Sequence, residues 1–214
     1  SDSIAILPTA SISIRNRDVE FPFRPDSDFF YLTGYPEPEA VVVLIPDREE
    51  GECILFCRER DEKMEAWHGR RSGLEGAIKI YAADDAFPIE DMDDILPGLI
   101  EGHERIYYNM GSDQNFDQRV LGWANQIRDK VRTGVTAPDE FISLNDFLHE
   151  MRLYKSRYEI KLMRKAAEIS TKAHKRAMKN CRPGMYEYQL EGELISEFIQ
   201  NGARYTAYPP IVAS

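Results

Sequence analysis

The sequence is short of most features that would assign it quickly. It has three cysteines, Cys53, Cys57 and Cys181, an odd and sparse set that argues against a disulfide framework and for a reducing compartment. No run approaches the ~20 apolar residues that a membrane-crossing helix needs. No secretory signal is visible, which with the thiol usage gives a cytoplasmic expectation. There is no surplus of positive charge: the formal net charge is -10, which argues against a nucleic-acid partner, because phosphate binding needs clustered Lys and Arg. Gly-x-Gly-x-x-Gly, a Walker loop, His-Glu-x-x-His and Gly-x-Ser-x-Gly are all missing. Neither internal repeats nor low-complexity segments occur.

What is present reads as ordinary globular protein, 43% hydrophobic and 30% charged over 214 residues, enough for one large domain or two small ones. The spacing predicts a strand over Ser3–Leu7. A β-branched run, Ala40-Val-Val-Val-Leu-Ile45, predicts a central strand, and residues 52–58 its hairpin partner across the turn at Pro46-Asp47. Further short strands are expected at 78–81 and 105–108. A helix from Ile89 is expected to end near Leu96, because Pro97 and Gly98 follow. Residues 115–130 predict a helix with Phe116, Val120, Trp123, Ala124 and Ile127 on one stripe. Strands alternating with helices give an α/β domain.

The character changes around Thr136-Ala-Pro-Asp-Glu140. A short amphipathic helix is expected over 143–152. Ser156 with Glu159 forms a capping box that opens a long helix to about Asn180. Its stripe is Ile160, Met163, Ala167, Ile169-Ser170, Ala173 and Ala177. Arg182-Pro-Gly184 breaks it. A third helix runs from about Tyr186 to Asn201, with Gly202 as its C-terminal stop. The chain then turns extended and stops at Ser214 as a strand starts. The second region is therefore expected to be cut off, and the start at Ile4-Ala-Ile-Leu7 to lie inside a longer product.

Candidate chemistry is thin. Cys53 and Cys57 share one face of a strand roughly 13 Å apart, which favours buried, inert thiols over metal ligands. His68, His103, His149 and His174 show no ligand spacing. The acidic clusters Asp84-Asp85 and Glu90–Asp94 read as helix N-terminal turns, where negative charge complements the macrodipole. Two segments read as long loops: Arg15–Gly34, rich in aromatics and charge, and Met64–Arg71, with a tryptophan beside a glycine hinge and two guanidiniums. Such loops either bind a ligand or pack against another domain or subunit.

The same segments carry a resemblance. Asp26-Ser-Asp-Phe-Phe-Tyr-Leu-Thr-Gly-Tyr-Pro-Glu-Pro-Glu-Ala40 and Trp67-His-Gly-Arg-Arg71 are similar to signatures of the aminopeptidase P N-terminal domain. His149-Glu-Met-Arg-Leu-Tyr-Lys-Ser156, Glu159-Ile160 and Arg164-x-Ala166 resemble the linker and first helix of the pita-bread metallopeptidases. Arg182-Pro-Gly-Met-Tyr-Glu-Tyr188, Glu191-Gly-Glu193 and Gly202-Ala-Arg-Tyr205 match the aminopeptidase P version.

The resemblance implies a creatinase-like domain over 1–142, a mixed β-sheet flanked by helices. A linker helix and the start of an α+β pita-bread domain would occupy 143–214. It implies removal of an N-terminal residue that precedes proline. Two divalent ions, commonly manganese, would activate water, held by two Asp, one His and two Glu downstream of Ser214. No metal ligand carries over, so the chain is expected to be metal-free and inactive by itself. It further implies a tetramer of identical chains, in which Asp18, Trp67 and Arg132 line a peptide cleft. Trp67 would offer an apolar face, Asp18 would pair a cation or a peptide end, and Arg132 would fork onto a carbonyl or carboxylate. A prolidase confined to dipeptides and a non-catalytic interaction module are the competing readings.

Overall fold

The computed structural model describes residues 2–130, 132 and 134–213. The chain divides into two compact units, Ser1–His149 and Glu150–Ser214.

In the first unit the strands are β1 Ser3–Pro8, β2 Ile14–Asn16, β3 Val19–Glu20, β4 Val41–Leu44, β5 Cys53–Cys57, β6 Asp85–Pro88, β7 Arg105–Tyr107 and β8 Glu140–Ile142. Six of them form one mixed sheet in the order β6-β5-β4-β1-β7-β8, and β2 and β3 form a separate hairpin. The β-branched run forms β4, with β5 and β1 antiparallel on either side. The β5–β6, β1–β7 and β7–β8 pairs are parallel.

Side chains alternate across the sheet, as strand geometry requires. Ile4, Ile6, Val41, Val43, Ile54 and Phe56 face one core, while Leu7, Val42, Leu55 and Cys57 face the other. The first core is covered by α4 Met92–Ile100 and α5 Gln114–Arg128. All five stripe residues of α5 are buried. The second core receives Phe29 of α1 Ser27–Thr33, Ala77 of α3 Gly73–Lys79 and Leu148 of α6 Asn145–Leu153. Helices thus lie on both faces of a mixed sheet, as expected.

Several local expectations are corrected. Residues 15–34 are not one loop: β2 and β3 occupy the start, and α1 follows, capped by Asp26 and closed by Gly34 at φ 64. Residues 64–71 are not a loop either, because α2 spans Glu62–His68. The strand expected at 78–81 is replaced by α3. There Gly73, Gly76 and Ala77 recur at helical spacing on the buried face, which outweighs the alternation of Ile78-Lys-Ile80. The strand in this stretch is β6, so Asp85 lies on a strand and not in a helical turn. The helix expected to stop near Leu96 runs through Pro97 to Ile100. Leu96, Pro97 and Ile100 are all buried, and enclosing them at roughly 1.5–3 kcal/mol per large side chain offsets a lost backbone hydrogen bond.

In the second unit, α7 Arg157–Asn180 opens with the expected capping box of Ser156 and Glu159. It packs along α8 Glu187–Gln200, where Arg176 reaches Glu193 at 2.6 Å and Glu197 at 3.2 Å. Only Ile169 and Ala173 of the α7 stripe are buried, whereas Met163 is exposed. Residues 203–213 are neither helix nor strand.

Candidate substrate-facing site

The segment from Arg58 to Ser72 is an arm between β5 and α3, and α2 is its middle. Asp61 caps α2 by accepting the N–H groups of Lys63 and Met64. Arg60 donates to both carboxylate oxygens of Glu65, at 3.0 and 3.2 Å. The helix ends at Gly69, whose φ of 88 disfavours any side chain. Arg71 Nη1 then reaches back to the Glu59 carbonyl at 3.3 Å, and Ser72 donates its N–H to Glu37 Oε1 at 2.7 Å.

No residue of α2 is buried, and Trp67 is 85% exposed. A tryptophan left in water forgoes the burial of a large apolar ring. An exposed ring on a helix that packs nothing is a surface shaped for a partner. The arm also walls a cleft of about 400 Å³ lined by Arg60, Arg70, Arg71 and Lys79.

Asp18 sits beside Arg17 in the turn joining β2 to β3 and is exposed. Every residue of that hairpin is exposed, and Val19 and Phe21 present apolar surface beside it. Arg132 is exposed between α5 and β8. The three residues therefore lie on three separate elements. Among the described residues no hydrogen bond or ion pair joins any two of them. None lines the arm's cleft or a second one, of about 340 Å³, bounded by Thr9, Ser11, Met92, Asp113, Phe116 and Arg119. Sequence reading missed that second cleft, because its lining comes from five separate stretches with no motif among them.

Glu37 was also missed. Its carboxylate is only 13% exposed and lies 3.6 Å from Arg58, itself 14% exposed. Arg58 makes a second pair with Glu39, also at 3.6 Å. Beside them Tyr35 is fully enclosed, and burial, then the neighbouring Cys57 and Glu37, push its hydroxyl above the usual tyrosine range. Burial likewise pushes the Cys57 thiol up to about 11, and Cys53 is raised by burial and by Asp84. Both are free thiols. Asp84 accepts the N–H of Cys53 at 2.9 Å, a structural contact. Among the described residues no group of three or more His, Cys, Asp or Glu is placed to hold a metal ion, so the residues present do not fit a divalent centre.

The family model for "Aminopeptidase P, N-terminal domain" matches residues 1–107, half of the chain. The chain belongs to the aminopeptidase P family. The model for "Metallopeptidase family M24" matches residues 161–214. Xaa-Pro aminopeptidase of Escherichia coli (strain K12) is 42% identical over 213 residues, covering 99% of this chain and 48% of that protein. Xaa-Pro aminopeptidase of Haemophilus influenzae is 34% identical, covering 93% and 44%. Aminopeptidase PepP of Pseudomonas aeruginosa superposes with a TM-score of 0.94 at 59% identity, over 97% of this chain and 47% of that one. Zinc-substituted E. coli aminopeptidase P in complex with product superposes at 0.92 and 41% identity, over 97% and 47%. The chain spans about half the length of the aminopeptidase P relatives that it matches.

Proposed function

We propose that this chain is the N-terminal half of a metal-dependent Xaa-Pro aminopeptidase, which releases the N-terminal residue of peptides with proline in second position. The observation that carries the reading is continuity. Relatives named Xaa-Pro aminopeptidase match 93–99% of the chain, across both the 1–107 and the 161–214 family segments. Metal dependence comes from the metallopeptidase segment, with manganese as the proposed metal. The described residues offer no ligand set, so the chain's own part is to bind and orient peptide.

In this reading the N-terminal domain covers 1–142 and the catalytic half begins at 143. Asp18, Trp67 and Arg132 contribute to the peptide cleft of a homotetramer, in which the cleft forms between copies. Their exposure and their lack of mutual contacts support a site completed by another surface. The acidic balance and the absence among the described residues of a helix long and apolar enough to cross a membrane agree with a peptide-handling enzyme, for which a cytoplasmic location is proposed.

The test is an assay of the full-length protein on an Xaa-Pro dipeptide and on a longer Xaa-Pro peptide with a free carboxyl end. Release of the first residue from both, lost on chelation and restored by manganese, supports the reading. Cleavage confined to the dipeptide identifies a prolidase, and no cleavage of either identifies an interaction module.

A further inference from the structure

The arm that carries Trp67 leaves the sheet at Arg58, directly after β5, and returns at Ser72, directly before α3. One side chain meets both ends. Glu37, in the loop between α1 and β4, accepts the Ser72 N–H on Oε1 at 2.7 Å, and its Oε2 lies 3.6 Å from Arg58 Nη2. Both members of that ion pair are nearly enclosed, at 13% and 14% exposure, where charge acts more strongly than on the surface. The other contacts along the arm, Arg60 with Glu65 and Arg71 with the Glu59 carbonyl, are exposed. With no buried residue in α2, apolar packing does not fix the helix in place.

We propose that Glu37 is the positioning residue for Trp67. Its carboxylate clasps both ends of the arm and so restricts where the indole is held. A carboxylate suits the task because one oxygen accepts the backbone N–H while the other attracts the guanidinium. Glutamine keeps the first contact and loses the charge, and alanine loses both. In either variant Arg58 retains Glu39 as a partner at 3.6 Å. The kinetic side of the proposal rests on the reading of Trp67 as substrate-facing, and the clasp does not.

The test labels the protein with 5-fluorotryptophan. The sequence has two tryptophans, so two fluorine lines are expected, assigned with Trp67→Phe. Trp123 is 2% exposed and reports the fold. Glu37→Ala is expected to narrow the Trp67 line about twofold as the indole gains fast motion, with the Trp123 line unchanged. Glu37→Gln is expected to fall between Glu37→Ala and the parent protein. In the full-length enzyme Glu37→Ala is expected to raise KM about tenfold with kcat within about twofold, the mark of lost positioning of bound peptide.

A narrowed line with raised KM supports both the clasp and the substrate role. With KM unchanged, a narrowed line keeps the clasp and removes Trp67 from the substrate site. A Trp67 line as broad in Glu37→Ala as in the parent protein overturns the proposal whatever the kinetics. If Glu37→Ala also disturbs the Trp123 line, Glu37→Gln decides. A narrowed Trp67 line beside an undisturbed Trp123 line then supports the clasp, and an unchanged Trp67 line overturns it.

Discussion

Trp123 and Trp67 are the same side chain in opposite circumstances. Trp123 lies on α5 at 2% exposure, donates Nε1–H to Asp93 at 2.9 Å, and meets Phe116 edge-on with ring centroids 5.7 Å apart. The Arg119 guanidinium sits 5.5 Å from its ring centroid and is tied to Asp93. Trp67 lies on α2 at 85% exposure, on a helix that buries nothing. Every group around Trp123 explains why that position holds the fold together. The groups around Trp67 fix the backbone and leave the ring free, which is how a binding surface is built on a rigid scaffold. The contrast separates residues kept for stability from residues kept for a partner.

The sharpest break in the comparison is truncation of each ring. Trp123→Ala is expected to cost about 3–5 kcal/mol, from lost burial and the cavity left behind, read as a fall in Tm of roughly 10 °C or more. Trp67→Ala is expected to change stability by no more than about 0.5 kcal/mol.

The thiols repeat the contrast at smaller scale. Cys57 is fully buried and its pKa stands at about 11, against an ordinary thiol value of 9.0, whereas Cys181 is exposed. The unfolded chain therefore loses the Cys57 proton first as pH rises. Its contribution is intact below the unfolded value and is lost as pH climbs from 9 towards about 11, on the order of 2–3 kcal/mol. Chemical unfolding of Cys57→Ala is expected to show a shallower alkaline decline than the parent protein. At pH 8 a thiol reagent is expected to modify Cys181 at once, and Cys57 only on unfolding.

The smallest effect concerns the second unit. Ser156→Ala removes the acceptor of the Glu159 N–H and is expected to cost about 1 kcal/mol of α7 stability. Hydrogen exchange slowed less in the first turn of α7, with α5 unaffected, is the readout.

How much of this was legible in the sequence follows the same division. The β4–β5 hairpin, the α5 stripe and the Ser156 capping box were readable because burial or capping writes itself into local spacing. The helix α2 was not, since a helix that buries nothing has no apolar stripe to find. The same spacing misled at α3, whose Ile78-Lys-Ile80 alternates like a strand, and at β6, which opens on an aspartate. At the site, Trp67 stood out through its motif and the two arginines after it. Glu37 could not, because its partner Ser72 lies 35 residues away and nothing local marks the pairing.

The account's central claim is that Trp67 serves a peptide and not the fold, and the most direct measurement is kcat/KM of Trp67→Ala in the full-length enzyme on a longer Xaa-Pro peptide, taken with Tm on the same sample. A fall of about tenfold or more in kcat/KM, about 1.4 kcal/mol of transition-state binding, with Tm within about 2 °C, is the result the account predicts. Unchanged kcat/KM, or a loss that tracks a collapse in Tm, would contradict it.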